Sequence, residues 1–178
     1  MEAAYNKKDF YQSSMYYGTM LGIVWSVMYI LLFAGTGSIT MLMFSSALFF
    51  ASPFIAISFA RKHRREECND TMTFTQAWIF MFYMYICASM FSALVSFVYL
   101  RFIDNGAFFM SLQSILQAGA ELQGTDEVMK QQIKELSDTI GNTSPTDFVW
   151  QLLSNSMFNT SVLPLALAIF VRKNNKNN

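Results

Sequence analysis

The sequence predicts an all-α integral membrane protein with four transmembrane helices and a short extracytoplasmic helical segment between helices 3 and 4. Two observations carry this prediction. Four long apolar stretches hold no Lys, Arg, Asp, Glu or His, and they lie at about 14–34, 40–60, 74–100 and 148–171. The polar segments that separate them alternate in the sign of their charge. Together these patterns indicate a single membrane domain over residues 1–178.

Each apolar stretch is long enough to span a bilayer as a helix. Crossing the hydrocarbon core takes about 20 mostly apolar residues, because the backbone polar groups must be satisfied within the segment. A charge at the middle of such a helix costs about 2.5 to 3.5 kcal/mol, so its absence from every stretch favours insertion. The first stretch is too long for the apolar region of a signal peptide, and we expect a retained helix.

The positions of the basic residues predict the orientation, because Lys and Arg are retained on the cytoplasmic side. Basic residues flank the cytoplasmic ends of the spans: Lys7, Lys8, Arg61, Lys62, Arg64, Arg65, Arg172, Lys173 and Lys176. Segment 101–147 carries three basic and seven acidic residues. We therefore expect both termini in the cytoplasm and an extracytoplasmic helical insert at about 102–144. A basic face for nucleic acid is not indicated.

Small residues recur every fourth position along the first span. This helix-packing row places them on one helical face and permits close approach of a neighbouring backbone; it consists of Ser14, Gly18, Gly22 and Ser26. The row is typical both of self-association and of packing within a four-helix bundle, and the sequence leaves the two open.

Polar side chains also form stripes on the third and fourth spans. If the two faces meet, they form a polar seam through the bundle, made of Ser89, Ser92, Ser96, Gln151, Asn155 and Asn159. Such side chains act as interhelical glue, each bond contributing about 0.6 to 2 kcal/mol, or line a hydrated solute path. Ion pathways usually contain an intramembrane charge, and its absence here favours glue.

The sequence of the extracytoplasmic insert predicts two helices separated near Gly124. Thr125 is a candidate cap for the second, whose apolar residues recur at helical spacing and which we expect to end at Gly141. Ser144 and Pro145 are typical of the N-cap and first position of the last span.

Residue types that commonly act as nucleophiles, bases or metal ligands are few: the chain has two cysteines and one histidine. Cys68 and Cys87 fall at different depths, so a disulfide is not expected. His63 lies among arginines and reads as a solvated loop residue rather than a metal ligand. We expect no cofactor, no metal site and no catalytic residues, and hence no enzyme.

Three motifs resemble those of a known family. Residues Met72 to Trp78, the Phe102-Ile103-Asp104 exit from the third span and the Thr143-Ser144-Pro145 start of the fourth are similar to those of small membrane proteins in domain-of-unknown-function family 4199. The resemblance implies a four-helix protein of the bacterial cytoplasmic (inner) membrane with no catalytic residues to carry over. It also points to a membrane-associated glycosyltransferase as a partner.

The function most consistent with these features is that of an accessory or scaffold subunit that binds membrane lipids and another membrane protein. The alternative is a small transporter or channel, assembled as a homo-oligomer, that uses the polar seam.

Overall fold

The structure, a computed structural model, describes residues 7–120 and 127–173, with the side chains of 9–120, 127–156 and 162–173. This part of the chain is helical, which confirms the predicted all-α class. The helices are α1 (Lys7–Ala34), α2 (Ile39–Glu67), α3 (Phe74–Val98), α4 (Ala107–Ala120), α5 (Glu127–Asn142) and α6 (Pro145–Val171).

Three helices are long and apolar enough to cross a membrane: Asp9–Ala34 within α1, Ile39–Glu67, and α3 extended to Ile103. These coincide with the first three predicted spans. Helix α6 has 27 residues, but within the described part of the chain only Val162–Val171 stands out as a shorter apolar helix. The structure therefore supports membrane localisation, and the fourth span stays a prediction.

Helix α3 lies at the centre of the bundle. It packs against α1 on one side and α6 on the other, while α2 packs mainly against α1. Its inward face alternates large and very small side chains, with Phe80, Met84 and Ala88 fully buried. Leu21 of α1 and Ala168 of α6 complete the same core. Close packing of this kind holds membrane helices together where the hydrophobic effect between them is weak.

Local sequence signals set two of the helix starts. The Thr73 hydroxyl accepts a hydrogen bond from the Gln76 backbone N–H, and the Gln76 side chain accepts one from the Thr73 N–H, which forms a capping box. At α6 the Ser144 side chain accepts from the Asp147 N–H. Pro145 occupies the first helical turn, so the predicted start of the last helix is confirmed.

A sharp turn separates α3 from the helical insert formed by α4 and α5. A single π-helical turn, Tyr99–Ile103, ends α3. Asn105 and Gly106 then adopt positive φ angles of 49° and 85°, a conformation that glycine tolerates best. The Asp104 carboxylate accepts from the Phe108 N–H, 2.9 Å away, and so begins α4.

The insert attaches to the bundle through aromatic side chains. Phe33, at the end of α1, is 1% exposed and contacts Phe108 and Phe148 with ring centroids 5.0 and 6.1 Å apart. Helix α5 packs on α4, where the Gln113 amide donates to the Ser137 carbonyl. Helix α5 runs to Asn142, so the expected end at Gly141 is one residue early. The expected break at Gly124 and cap at Thr125 lie outside the described residues.

Candidate functional site

The small-residue row of α1 faces α3. Ser14, Gly18, Gly22 and Ser26 are all buried. A Cβ built on Gly18 would lie 2.7 Å from the Met84 carbonyl oxygen, and one built on Gly22 would lie 3.2 Å from the same atom of Ala88. The two backbones are thus in direct contact within one chain. Of the two interpretations that the sequence leaves open, this geometry favours intramolecular packing.

The two serines of the row act as small spacers. The Ser14 hydroxyl donates to the Phe10 carbonyl at 2.8 Å, and that of Ser26 donates to the Gly22 carbonyl at 2.7 Å. Each bond returns to the preceding turn of α1. A serine that satisfies its hydroxyl in this way can lie against an apolar neighbour without a cross-helix partner.

The serine stripe of α3 is buried as well, but the hydrogen bonds of Ser89 and Ser92 stay within α3. Ser89 donates to the Ile86 carbonyl at 2.9 Å and Ser92 to the Ser89 carbonyl at 3.1 Å. The Ser96 hydroxyl is buried and has no hydrogen-bond partner. The stripe therefore contributes close packing more than interhelical hydrogen bonding.

The two α6 amides that the structure describes do not meet the serine stripe. Gln151 and Asn155 are exposed, and the Asn159 side chain lies outside the described residues. The inward face of α6 carries the apolar residues Val149 and Leu167, and successive residues are about 100° apart around a helix. That geometry turns the two described amides out of the bundle, so the predicted seam does not join them to the α3 serines.

Two interhelical polar contacts that the sequence did not identify join α1 to α2. The Trp25 indole N–H donates to the Ser52 hydroxyl at 2.6 Å, and the Ser45 hydroxyl donates to the Met28 carbonyl at 3.0 Å. Polar residues on the second span were a visible signal. Their partners, an indole N–H and a backbone carbonyl of α1, depend on how α1 and α2 pack together.

A second polar cluster lies at the α2–α3 end of the bundle, around His63. This side chain is 1% exposed and its ring stacks on Phe80 with centroids 4.2 Å apart. Its Nδ1 lies 2.9 Å from the Ser13 hydroxyl and 3.2 Å from the Glu67 carboxylate. The Cys68 sulfur is 3.7 Å from Nε2. The prediction of a solvated loop residue is therefore wrong, because α2 continues to Glu67 and places His63 on its inward face.

The order of thiol, imidazole and carboxylate in this cluster resembles that of a cysteine nucleophile with its base. Burial, together with the Glu67 charge, raises the pKa of the Cys68 thiol. A thiol held in its protonated form is a poor nucleophile and a poor metal ligand. The described residues contain no group of three or more His, Cys, Asp or Glu that could hold a metal ion. The cluster also connects α1 to α2, because the Ser13 hydroxyl of α1 donates to the Glu67 carboxylate of α2 at 3.0 Å.

Next to this cluster, Arg64 joins three parts of the chain, and we call the contact set the terminal clasp. Arg64 donates to the Val171 carbonyl and to the Asp70 carboxylate. Lys173 also binds Asp70, and its backbone pairs in both directions with that of Met72 at 2.9 Å. The bond from Lys173, with the charge of Arg64, lowers the pKa of the Asp70 carboxyl. The clasp fixes the end of α6 beside the start of α3.

Comparison with known proteins agrees with the motifs in the sequence. A family model described as a protein of unknown function (DUF4199) matches residues 16–173. Curated proteins and solved structures gave no match. The matched region runs from α1 through the last residue of the terminal clasp, and the chain belongs to the DUF4199 family.

Proposed function

We propose that this protein is a non-catalytic accessory or scaffold subunit of the bacterial cytoplasmic membrane and that it binds another membrane protein through α6. The observation that carries the proposal is the exposure of Gln151 and Asn155 on the outward face of that helix. The family resemblance makes a membrane-associated glycosyltransferase one class of partner to look for.

The depth of Asn155 gives this observation its weight. It lies roughly 15 Å along the helix axis from Pro145, at a level where lipid chains would otherwise surround it. Transfer of an amide into an apolar environment without a hydrogen-bond partner costs roughly 2 to 7 kcal/mol. A partner helix that offers a donor and an acceptor removes this cost. Exposed amides at this depth are therefore typical of a contact surface between membrane helices.

The insert offers a second surface for the same partner. Val128, Met129 and Leu136 of α5 are 64%, 54% and 50% exposed. The other face of α5 packs on α4, and α4 in turn contacts the end of α1 through Phe108. An exposed apolar stripe on a polar helix favours contact with another protein or with the membrane surface.

The bundle geometry supports four spans. The end of α6 pairs with Met72 just before α3, while Phe148 near its start contacts Phe33 at the opposite end of the bundle. Helix α6 thus runs alongside α3 over most of its length. We place the α2–α3 end in the cytoplasm together with both termini. Arg61, Lys62 and Arg65 are exposed there, where they would attract anionic lipid headgroups.

The orientation has a direct test in a variant with Cys68 and Cys87 changed to Ser. In intact cells, a membrane-impermeant maleimide should label Glu135→Cys on exposed α5 and spare Lys62→Cys, which should react only after the membrane is permeabilised. Labelling of Lys62→Cys alone in intact cells would reverse the orientation.

Partner binding is tested with the full tagged chain, captured from native membranes in mild detergent and analysed by mass spectrometry. We expect a stoichiometric membrane protein with the wild type. Its recovery should fall about tenfold or more with Asn155→Leu, since loss of a buried amide contact is worth about 1.4 kcal/mol or more. The thermal stability of the isolated variant should change little, because Asn155 is exposed.

Ser46→Leu is the matched control for this capture. Ser46 is also exposed on a long apolar helix, and its hydroxyl donates to the Leu42 carbonyl in the preceding turn, so recovery should be unchanged. Equal recovery with Asn155→Leu and the wild type would exclude α6 as the contact surface. If the wild type captures only further copies of itself, the oligomeric transporter or channel becomes the better proposal.

A further inference from the structure

A cavity of about 340 Å³ lies within the bundle where α2 and α6 diverge. All four long helices contribute to its wall, which includes Trp25, Tyr29, Phe50, Ser52, Tyr85 and Leu163. Its size falls at the lower end of the range for small-molecule and cofactor pockets. None of the lining residues that the structure describes is charged.

Exposed side chains of α2 and α6 form the rim of the cavity. Helices α2 and α6 are held together at the α2–α3 end, where Arg61 donates to the Phe170 carbonyl and Arg64 to that of Val171. At the other end α6 instead packs on the aromatic side chains of α4, through Phe148. The two helices therefore form a wedge that is closed at one end. Large apolar side chains line its exposed rim, with Phe50 71% and Leu163 40% exposed.

Four polar side chains of the wall, Trp25, Ser52, Tyr29 and Ser156, already bind one another in pairs. Trp25 donates to Ser52 across the α1–α2 boundary, and Tyr29 has a hydrogen bond with Ser156. The Tyr85 hydroxyl is buried in the wall without a hydrogen-bond partner. Among the described lining residues, the surface left for an occupant is mainly aromatic and aliphatic. Such a surface fits hydrocarbon and disfavours an ion or a strongly hydrated solute.

We propose that this wedge binds one acyl chain of a membrane phospholipid. The chain inserts laterally between α2 and α6 and covers apolar wall that neither helix covers. At this depth in a bilayer the surrounding molecules are lipid tails, and filling the cavity restores the dispersion contacts that an empty space forfeits. The site is independent of the proposed protein contact, because Gln151 and Asn155 are not among its lining residues.

The test uses the full chain in vesicles of phosphatidylethanolamine and phosphatidylglycerol that contain a trace of phospholipid with a photoreactive diazirine at mid-chain. After illumination, mass spectrometry locates the labelled residues. Phe50 and Phe54 are 71% and 70% exposed on the same helix, but only Phe50 lines the cavity. We expect labelling at Phe50 to exceed that at Phe54 about tenfold, as for a bound rather than a passing chain.

A matched pair of variants blocks the wedge or leaves it open. Leu163→Trp fills the rim, whereas Leu165→Trp places the same side chain at a similarly exposed position that is not part of the lining. Labelling of Phe50 should fall about tenfold in the first and stay unchanged in the second. Equal labelling of Phe50 and Phe54 in the wild type would overturn the proposal without any variant, since it would show surrounding lipid only.

Tyr85→Phe tests the chemistry of the occupant. An acyl chain has no need of the hydroxyl, so labelling at Phe50 should be retained. Loss of labelling in a variant of unchanged thermal stability would overturn the proposal in favour of a ligand that accepts a hydrogen bond from Tyr85.

Discussion

Replacing Gly18 with Leu should strongly destabilise the protein in detergent, measured as a fall in the midpoint of thermal unfolding. Even the first carbon of a side chain there would lie 2.7 Å from both the Cys87 Cβ and the Met84 carbonyl oxygen. The backbones of α1 and α3 must then separate along the central contact of the bundle. Overpacking a tight interior costs about 1 to 3 kcal/mol, and we expect the upper part of that range or beyond.

Gly119 provides the matched control, because it too lies within a helix, and an added Cβ there would meet no described atom within 4 Å beyond its chain neighbours and its own helical backbone. Gly119→Leu should leave the midpoint unchanged or raise it slightly, since Gly is a poorer helix former than Leu by up to about 1 kcal/mol. An unchanged midpoint in Gly18→Leu would contradict the packing of this row against α3.

Arg64→Met should also cause a large loss of stability, about 2 to 4 kcal/mol, because it removes the side chain that binds both Val171 and Asp70. Methionine keeps much of the aliphatic volume, so the change reports mainly on the guanidinium. The loss should appear first at the end of α6, as faster protease cleavage near Lys173 at temperatures where the bundle remains folded.

Arg65 is the control for charge, because it follows Arg64 directly in the sequence but its side chain is exposed. Arg65→Met should change stability by less than about 0.5 kcal/mol, as is usual for surface substitutions. Arg64→Lys should recover only part of the loss, since a lysine ammonium lacks the planar fork that reaches two acceptors at once. Equal effects of Arg64→Met and Arg65→Met would show that net charge, and not the terminal clasp, stabilises this end.

Features that depend on local composition could be predicted from the sequence. Hydropathy located the first three long helices, and the run of Ser144, Pro145 and Asp147 located the start of α6. The spacing of Gly18 and Gly22 identified a close helix contact. In each case the physical cause, whether transfer to lipid, a cap or a missing side chain, acts within a few residues of the chain.

What could not be predicted depends on rotation and length of whole helices. Gln151 and Asn155 lie four residues apart on one face of an apolar helix, a spacing that predicts a shared buried face. The apolar residues on the other face of α6 pack in the core instead, and this turns the two amides outward. His63 and Arg64 follow the last apolar turn of α2, where hydropathy predicts a solvated loop. These two side chains are buried because α1 and α6, which are distant in sequence, pack against them.

The terminal clasp also imposes an order on biogenesis. Its partners on one side, Arg64, Asp70 and Met72, leave the ribosome long before Val171 and Lys173. Until then Arg64 has no acceptor from α6, so the first three helices form an incomplete bundle. Docking of α6 is thus the event that completes both ends of the bundle, because α6 contacts Met72 at one end and the aromatic side chains of α4 at the other.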